Sequence, residues 1–316
     1  MRVLITGGAG FIGSWVARKV KDSGHDVLII DNLSTGKKAN IPNDVKFQEC
    51  DIRDSYLDDQ FQKFKPDTVL HLAAQASVSL SVKNPREDLD INLNGGLNLL
   101  ECCRKHSVQH FVFSSTGGAI YGNVATGKAH ENRPACPESP YAAAKASFEL
   151  YLSVYAKLWG MKHTILRYSN IYGPRQDPFG EAGVIAIFCN KLCNNERPIM
   201  FAQKTLKDSG CLRDYLYVED VAKANLIALE EKHGGIYNIG TGKTTSTQRI
   251  FDILSDISNV SVKPIYEPPR IGDVYRNVLD ISKARRELSF EPGMRLIDGL
   301  QKTWDYFSLI NNENTK

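Results

Sequence analysis

The sequence lacks the features that identify membrane, secreted and nucleic-acid-binding proteins. Its 316 residues contain no apolar run near the ~20 residues that a membrane-spanning helix needs. The formal net charge is only +3 and the charges are dispersed, which does not favour nucleic acid or a membrane surface as a partner. The apolar residues 3–5 run directly into glycines, so we expect no secretion signal.

The cysteines also lack an organised pattern. There are seven, an odd number, and no CxxC pair occurs among them. This arrangement predicts neither a zinc site nor a disulfide framework, and we expect no bound metal. Reduced thiols in a cytoplasmic protein are the simplest interpretation.

The first half of the chain alternates short apolar runs with longer amphipathic stretches. Strands are predicted over 2–6, 26–30, 45–49, 68–72, 110–114 and 162–167, and helices over 11–23, 55–64, 86–106 and 140–159. Repeated strand–helix–strand units imply parallel pairing with helices on both faces of the sheet. The fold class predicted is therefore α/β, with a Rossmann-type doubly wound parallel sheet.

The pattern changes after about residue 168, where prolines and glycines become frequent. Helices predicted over 184–194, 218–231, 247–257 and 296–309 are separated by short strands. We expect an NAD-binding domain over 1–170, with a returning segment near 213–240. Residues 171–316 would form mainly a smaller mixed α/β lobe for the substrate.

A glycine-rich loop follows the first predicted strand and opens the first helix. Gly7, Gly10 and Gly13 form GxxGxxG, with Phe11 and Ile12 between the last two glycines. Residues without Cβ let the backbone approach a pyrophosphate, and the helix N-terminus presents unpaired N–H groups to it. The strand–turn–helix context favours a dinucleotide site over a merely structural loop.

An acidic residue ends the second predicted strand. Asp31 lies eighteen residues after Gly13, where a carboxylate can accept hydrogen bonds from the adenosine ribose hydroxyls. It would repel a 2′-phosphate, so NAD is favoured over NADP, although Lys37 and Lys38 could weaken that preference. Asn32, the next residue, is assigned to the same site.

Two side chains with complementary acid–base chemistry share one face of a predicted helix. Tyr141 and Lys145 form YxxxK. A phenol has an ordinary pKa near ~10, and a neighbouring cation lowers it, so Tyr141 could exchange a proton with a sugar hydroxyl. A third hydroxyl comes from Ser114-Ser115-Thr116 at the end of the fifth strand, since ligands bind at that edge of a parallel sheet.

These motifs together resemble the extended branch of the short-chain dehydrogenase/reductase superfamily. The resemblance assigns Thr116 as the catalytic partner of Tyr141 and Lys145, and implies that Lys145 also binds the nicotinamide ribose. It implies further cofactor contacts, which are Asp51-Ile52, Leu72-Ala73-Ala74, Asn92 and Tyr168.

Several blocks resemble one group within the NAD-dependent epimerase/dehydratase family, the compact UDP-glucose 4-epimerases. The blocks are 114–122, 167–188, 213–215, 218–222 and 238–242. The resemblance implies reversible oxidation and reduction at C4 of a UDP-hexose, with tightly bound NAD. It also implies a homodimer, formed through helices 86–106 and 140–159.

The same resemblance assigns residues that would hold the nucleotide half of the substrate. Arg213 and Arg270 match diphosphate-binding arginines, and arginine suits phosphate because its guanidinium donates two charged hydrogen bonds. Asp273 matches an acid that holds the uridine ribose, Asn170 a diphosphate and sugar contact, and Phe201 an aromatic near uracil. The loop between Phe201 and Arg213 lacks the usual glycine before the arginine, which leaves the uracil contacts open.

The sequence leaves other activities of the same family open. A sugar-nucleotide 4,6-dehydratase would carry Asp-Glu directly after the catalytic threonine, where this chain has Gly117 and Gly118. An epimerase of N-acetylated UDP-sugars or of another nucleotide sugar is compatible, because Asn277 occupies a position where relatives differ in bulk beside the sugar. A non-catalytic NAD sensor would not need to keep Thr116, Tyr141 and Lys145 together.

Overall fold

The structure is a computed structural model that describes residues 1–180, 183–202, 205–269 and 274–314. Arg270 and Asp273, both expected to bind the substrate, lie outside the described residues. No helix within the described ranges combines the length and the apolar character needed to cross a bilayer.

The strands and helices alternate along the first half of the chain, as the sequence predicts. The strands are β1 (Arg2–Thr6), β2 (Asp26–Asp31), β3 (Lys46–Glu49), β4 (Thr68–His71), β5 (His110–Thr116), β6 (Lys162–Tyr168), β7 (Asn170–Tyr172), β8 (Ile199–Phe201), β9 (Leu212–Arg213), β10 (Tyr215–Tyr217), β11 (Gly235–Ile239), β12 (Thr245–Ser246), β13 (Ile265–Glu267) and β14 (Arg276–Asn277). The helices are α1 (Phe11–Asp22), α2 (Leu57–Phe64), α3 (Val78–Lys83), α4 (Pro85–Leu89), α5 (Gly95–Lys105), α6 (Gly117–Ile120), α7 (Pro140–Trp159), α8 (Val184–Cys193), α9 (Val218–Glu231), α10 (Thr247–Ser258), α11 (Ser282–Leu288) and α12 (Leu296–Asn314).

A seven-stranded sheet forms the centre of the molecule, in the order β11-β6-β5-β4-β1-β2-β3. Every neighbouring pair is parallel, which confirms the predicted Rossmann-type sheet. Successive side chains of β1 enter different cores: Val3 and Ile5 pack with Val16 and Val221, whereas Leu4 packs with Phe148 on the other face. A sheet covered on both faces explains why its strands read as continuous apolar runs.

The predicted helix over 86–106 is a helical run with an irregular centre. α4 is followed by a π-helical segment, Asp90–Asn94, and then by α5. α5 begins with Gly95 and Gly96, and a Cβ at Gly96 would lie 2.5 Å from Cε2 of Phe148 in α7. The missing side chain therefore lets α5 pack closely against α7.

The second half of the chain builds a lobe from short strand pairs and helices. β10 pairs with β7, β13 pairs with β8, and β9 lies between β12 and β14. Its core includes Tyr172, Phe188, Phe251 and Leu300, contributed by β7, α8, α10 and α12. The returning segment expected near 213–240 contains α9 and β11, of which β11 joins the edge of the main sheet beside β6.

Candidate functional site

A cavity of about 390 Å³ opens where the strands of the main sheet end, between that sheet and the second lobe. Eight of the residues assigned from the sequence line it: Phe11, Ile12, Thr116, Tyr141, Tyr168, Asn170, Phe201 and Arg213. Ligands of open parallel sheets bind at this edge. The fold thus brings cofactor, catalytic and substrate assignments to one place.

The glycine loop is folded too tightly for side chains. Gly7 has φ +71°, and a Cβ there would lie 2.6 Å from the backbone nitrogen of Ala73. A Cβ at Gly13 would lie 2.0 Å from the carbonyl oxygen of Gly7. α1 begins directly after Gly10 without a side-chain cap, so its first N–H groups can receive an anion. This cradle fits the pyrophosphate of NAD, with Leu72-Ala73-Ala74 forming the wall beside Gly7.

Asp31 braces the glycine loop as well as ending β2. Its carboxylate accepts hydrogen bonds from the backbone N–H of Ala9 at 2.9 Å and of Leu33 at 2.8 Å. Burial raises the pKa of this carboxyl, which the two N–H donors partly oppose. The bond to Ala9 was not foreseen from the sequence, and it places the proposed ribose acceptor directly beside the loop.

Asp51, assigned to adenine, already has strong protein partners. Arg53 Nε donates to Oδ1 at 2.9 Å, and Asn32 Nδ2 donates to Oδ2 at 2.7 Å. These bonds, led by that of Arg53, hold the pKa of Asp51 well below its ordinary value. Ile52 is buried, and its carbonyl accepts from Asn98 Nδ2 at 2.7 Å. Asn32 therefore contacts Asp51. The sequence analysis did not single out Arg53, although it lies only two residues after Asp51.

Asn92 ties the π-helical segment to the loop after β4. Its Nδ2 donates to the carbonyl of Gln75 at 2.9 Å, and its Oδ1 accepts from the N–H of Gln75 at 3.1 Å. The same Nδ2 donates to Oδ1 of Asp88 at 3.0 Å. Asn92 is therefore structural, because it fixes the segment that continues from Leu72-Ala73-Ala74.

The three hydroxyl residues at the end of β5 have different surroundings. Ser114 Oγ lies 2.9 Å from the Tyr168 hydroxyl, and Ser115 Oγ donates to Glu149 at 2.5 Å. Thr116 lines the cavity, as does Tyr141 from the first turn of α7. Tyr168 also accepts from Asn225 Nδ2 at 2.7 Å, and burial raises the pKa of Tyr168 to about 12. Its hydroxyl therefore stays protonated, and it supports β5 instead of reacting.

Lys145 is enclosed in the protein, four residues after Tyr141 on α7. It is 3% exposed, its Nζ donates to the carbonyl of Ser114 at 3.1 Å, and it lies 4.7 Å from the centre of the Phe113 ring. Burial lowers the pKa of Lys145 to about 8, while the negative charges of Asp88 and Glu149 act in the opposite direction.

A buried ion pair fixes α7, the helix that carries Tyr141 and Lys145. Arg167 of β6 donates from Nε to Glu149 Oε1 at 2.9 Å, and also from Nη2 to the other carboxylate oxygen. Its Nη1 donates to Tyr121 at 2.7 Å. Sequence reasoning missed this pair, although Glu149 lies four residues after Lys145 and so on the same helix face.

The cavity contains buried polar atoms that lack a hydrogen-bond partner among the described residues. Ser169 Oγ, Asn170 Nδ2 and Gln176 Oε1 are buried without a hydrogen bond within the described part of the chain. All three residues line the cavity, and Gln176 was not singled out from the sequence. Buried polar atoms are nearly always paired, so these three are suited to meet a polar ligand.

Arg213 enters the cavity from β9. Its Nη1 donates to the carbonyl of Tyr275 at 3.1 Å, which aligns the side chain along the neighbouring segment. The next residue, Asp214, is fully buried and accepts from the N–H of Thr241 at 2.8 Å and of Gly242 at 2.9 Å. Asp214 thereby connects the strand of Arg213 to the turn after β11.

Asn277, expected from the resemblance to lie beside the sugar, is buried against the turn that follows Thr116. It is 0% exposed, and its Nδ2 donates to the carbonyls of Gly117 at 3.1 Å and Gly122 at 3.4 Å. β14 pairs with β9 in a register that places Asn277 opposite Arg213, and this directs its side chain toward the turn after Thr116. Asn277 is not among the described residues that line the cavity.

The parallel sheet, the glycine cradle and the Thr–Tyr–Lys arrangement define a dinucleotide-binding enzyme of the short-chain dehydrogenase/reductase class. The chain belongs to the NAD-dependent epimerase/dehydratase family, whose family model matches residues 3–240.

Solved structures of this family superpose over nearly the whole chain. The Thermus thermophilus UDP-glucose 4-epimerase in complex with NAD has 47% identity and a TM-score of 0.93, covering 97% of this chain and 99% of its own. The Thermotoga maritima UDP-glucose 4-epimerase with UDP-glucose has 44% identity and a TM-score of 0.93, covering both chains fully, 100% and 100%. A UDP-N-acetylglucosamine 4-epimerase from Methanobrevibacter ruminantium has 35% identity and a TM-score of 0.90, covering 97% of each chain.

Proposed function

We propose that this protein is an NAD-dependent UDP-sugar 4-epimerase that interconverts UDP-glucose and UDP-galactose. The observation that carries the proposal is the cavity itself, where Thr116 and Tyr141 face the same space above the buried Lys145. The two residues that follow Thr116 are Gly117 and Gly118, which offer no side chain for the additional acid–base step of a dehydratase. The similar enzymes from Thermus thermophilus and Thermotoga maritima support the same reaction.

NAD would be held by the glycine cradle of Gly7, Gly10 and Gly13, with Asp31 toward the adenosine ribose. The chemistry that NAD supplies when bound is reversible hydride acceptance. The chain itself supplies orientation and proton transfer. Lys145, whose Nζ donates to the carbonyl of Ser114, would hydrogen-bond the nicotinamide ribose.

The proton chemistry falls to Tyr141. Its phenol would take the proton of the sugar 4-hydroxyl in one direction and return it in the other, as general base and general acid. The Lys145 cation favours the phenolate form because an opposite charge nearby stabilises an anion. Thr116 would hydrogen-bond the same sugar oxygen and hold it toward Tyr141.

The second lobe would hold the nucleotide diphosphate. Arg213 supplies a cation inside the cavity, and Asn170 supplies an amide donor without a protein partner among the described residues. Phe201 would contact uracil, and Arg270 and Asp273 would bind diphosphate and uridine ribose. This division puts nucleotide recognition on the second lobe and proton transfer on the first.

We also propose that the protein is a cytoplasmic homodimer. α7 exposes Leu150, Val154 and Leu158 at 71%, 51% and 63%, and their four-residue spacing forms an apolar stripe. Exposed apolar stripes of this kind are typical of protein interfaces, and a second copy of α7 offers the same complementary surface. The seven cysteines, all within the described ranges and none in a disulfide, suit the reducing cytoplasm.

The reaction is tested by incubating the purified protein with UDP-galactose, without added NAD, and measuring UDP-glucose by chromatography. We expect interconversion, because tightly bound NAD is regenerated in each cycle. Tyr141→Phe should lower kcat at least ~10²-fold, the usual contribution of a general acid–base group, while bound NAD remains. No interconversion, with or without NAD, would contradict the proposal, and undiminished activity of Y141F would contradict the role of Tyr141.

N-acetylated UDP-sugars form the second candidate substrate class. The burial of Asn277 favours them, since no side chain from that position occupies the cavity. A similar protein from Methanobrevibacter ruminantium is a UDP-N-acetylglucosamine 4-epimerase. UDP-N-acetylglucosamine should therefore be assayed beside UDP-galactose, and the ratio of the two kcat/KM values decides between the classes.

A further inference from the structure

Asp88 is a buried carboxylate that the proposed reaction does not yet use. It lies in α4 and is 1% exposed. Its Oδ1 accepts from Gln75 Nε2 at 2.7 Å and from Asn92 Nδ2 at 3.0 Å. Its Oδ2 is also buried but has no hydrogen-bond partner within the described ranges. One oxygen therefore has two donors, and the other has none.

The negative charge of a buried carboxylate needs a nearby positive charge in addition to its hydrogen bonds. An ionised group removed from water is strongly destabilising unless an opposite charge faces it. Burial raises the pKa of Asp88, and Lys145 is the positively charged group that acts to lower it. α4 packs against α7; Asp88 is the buried residue of α4, and Lys145 is among the buried residues of α7. This packing brings the two buried side chains into one region, so we expect their charges to depend on each other.

The other groups around Lys145 do not provide the same compensation. Glu149 faces it from α7, but that carboxylate is already paired through both oxygens with Arg167. His71 faces it from β4, where full burial keeps the histidine pKa well below its ordinary value, so the ring is neutral. Tyr141 lies one turn earlier on α7. Asp88 is thus the facing carboxylate with no arginine or lysine bonded to it in the described part of the chain.

We propose that Asp88 is a positioning residue that keeps Lys145 charged and so supports proton transfer by Tyr141. Oδ2 provides the opposing charge, while Oδ1 holds Gln75 and Asn92 and thereby the cofactor wall that continues from Leu72-Ala73-Ala74. One side chain links the electrostatics of the catalytic pair to the shape of the cofactor site. The effect on turnover depends on the proposed epimerase function, whereas the coupling to Lys145 does not.

The test variant is Asp88→Asn, because asparagine keeps an oxygen for the two amide donors and removes only the charge. With Lys145 less well compensated, we expect it to lose its proton at lower pH. The alkaline limb of kcat/KM for UDP-galactose should then move down by ~1 to 2 pH units, the usual effect of one close opposite charge. Glu87→Gln is the matched control, since Glu87 is exposed on the same helix, and its profile should match the wild type.

A double-mutant cycle tests the coupling without any assay of activity. Urea unfolding is measured for the wild type, D88N, Lys145→Met and the double variant, all at neutral pH. D88N should destabilise the wild type, whereas in K145M it should be neutral or stabilising, because it then removes an uncompensated buried charge. Asp88→Ala, which also removes Oδ1, should destabilise more than D88N.

The outcomes separate the two proposals. An equal effect of D88N in both backgrounds, or an alkaline limb that does not move, would overturn the role of Asp88. Coupling in the unfolding cycle, in a protein that turns over no UDP-sugar, would support the Asp88–Lys145 pair and reject the epimerase proposal.

Discussion

At the scale of single residues, the glycine loop could be predicted and its neighbours could not. Gly7, Gly10 and Gly13 are identifiable because their spacing reflects a backbone that must bend within a few residues. Arg53 lies only two residues from its partner Asp51, so the local sequence did contain a signal for it. Glu149 was missed because it acts through Arg167 of β6, and nothing local specifies that partner. Asp88 is similar, since its importance arises from burial beside α7.

Gly13→Ala should weaken NAD binding severely. The new Cβ would lie 2.0 Å from the carbonyl oxygen of Gly7. Neither that oxygen nor the backbone of residue 13 can move away without opening the cradle. Strain of ~1–3 kcal/mol corresponds to a loss of about 5- to 150-fold in affinity. Isothermal titration of the NAD-depleted protein measures this loss. Gly234→Ala, whose Cβ would meet only ordinary contacts at 3.6 Å, should bind NAD normally, and equal affinities for both variants would refute the argument.

At the scale of elements, the main sheet and the helices of the second half of the chain were predicted closely, whereas the short strands of the second lobe were not. β1 spans Arg2–Thr6 as expected, because buried parallel strands produce short apolar runs that end in glycine or polar residues. The π-helical segment Asp90–Asn94 could not be predicted, since its local pattern equals that of a regular helix. β9 and β12 have two residues each and are strands only because distant segments pair with them.

His110 of β5 contacts Thr164 of β6, and the burial of this histidine should make the free energy of unfolding depend on pH. Thr164 Oγ1 donates to the carbonyl of His233 at 2.7 Å, so His110 Nε2, 3.0 Å from that hydroxyl, must be the donor to it. The other ring nitrogen, Nδ1, is buried without a partner within the described residues. Burial lowers the pKa of His110 from 6.5 to about 4, so the folded protein keeps this ring neutral.

Stability should therefore fall as the pH decreases through this window. The unfolded chain takes up a proton near pH 6.5, whereas the folded chain does so only near about pH 4. The stabilising contribution is complete above pH 6.5 and is lost toward about pH 4, with an upper limit of roughly 3 kcal/mol. His110→Gln, which can still donate to Thr164, should lessen the acid dependence of urea unfolding. An unchanged slope would contradict the assignment.

At the scale of the whole molecule, α7 belongs to two different surfaces. Its N-terminal turn carries Tyr141 to the cavity, and its C-terminal half exposes the apolar stripe of Leu150, Val154 and Leu158. The sequence predicted the helix and the Tyr141–Lys145 pair. The sequence alone does not reveal which apolar residues of that helix stay exposed to solvent. That information comes only from the packing of α7 on β5, β6 and α5.

Val154→Glu should convert the proposed dimer into monomers. A charge in the middle of an apolar stripe would be buried without a partner at the interface, which strongly disfavours association. Size-exclusion chromatography with light scattering measures the mass of each species. Leu309→Glu is the control, because Leu309 is 64% exposed on α12, away from the stripe, and its variant should stay dimeric. A monomeric wild type, or a dimeric V154E, would refute the stripe as the interface.

The enclosure of Lys145 has a consequence for chemical labelling. An amine whose pKa is about 8 is deprotonated in roughly one molecule in ten at pH 7, far more often than an ordinary lysine, and so reacts more readily as a nucleophile. Yet with 3% exposure it is closed to reagents that approach from bulk water. Acylating agents in solution should therefore modify the surface lysines first. An electrophile carried into the cavity on a nucleotide scaffold would be held beside Tyr141, one helical turn from Lys145. The same burial that protects Lys145 from reagents in bulk water would make such a probe selective for it.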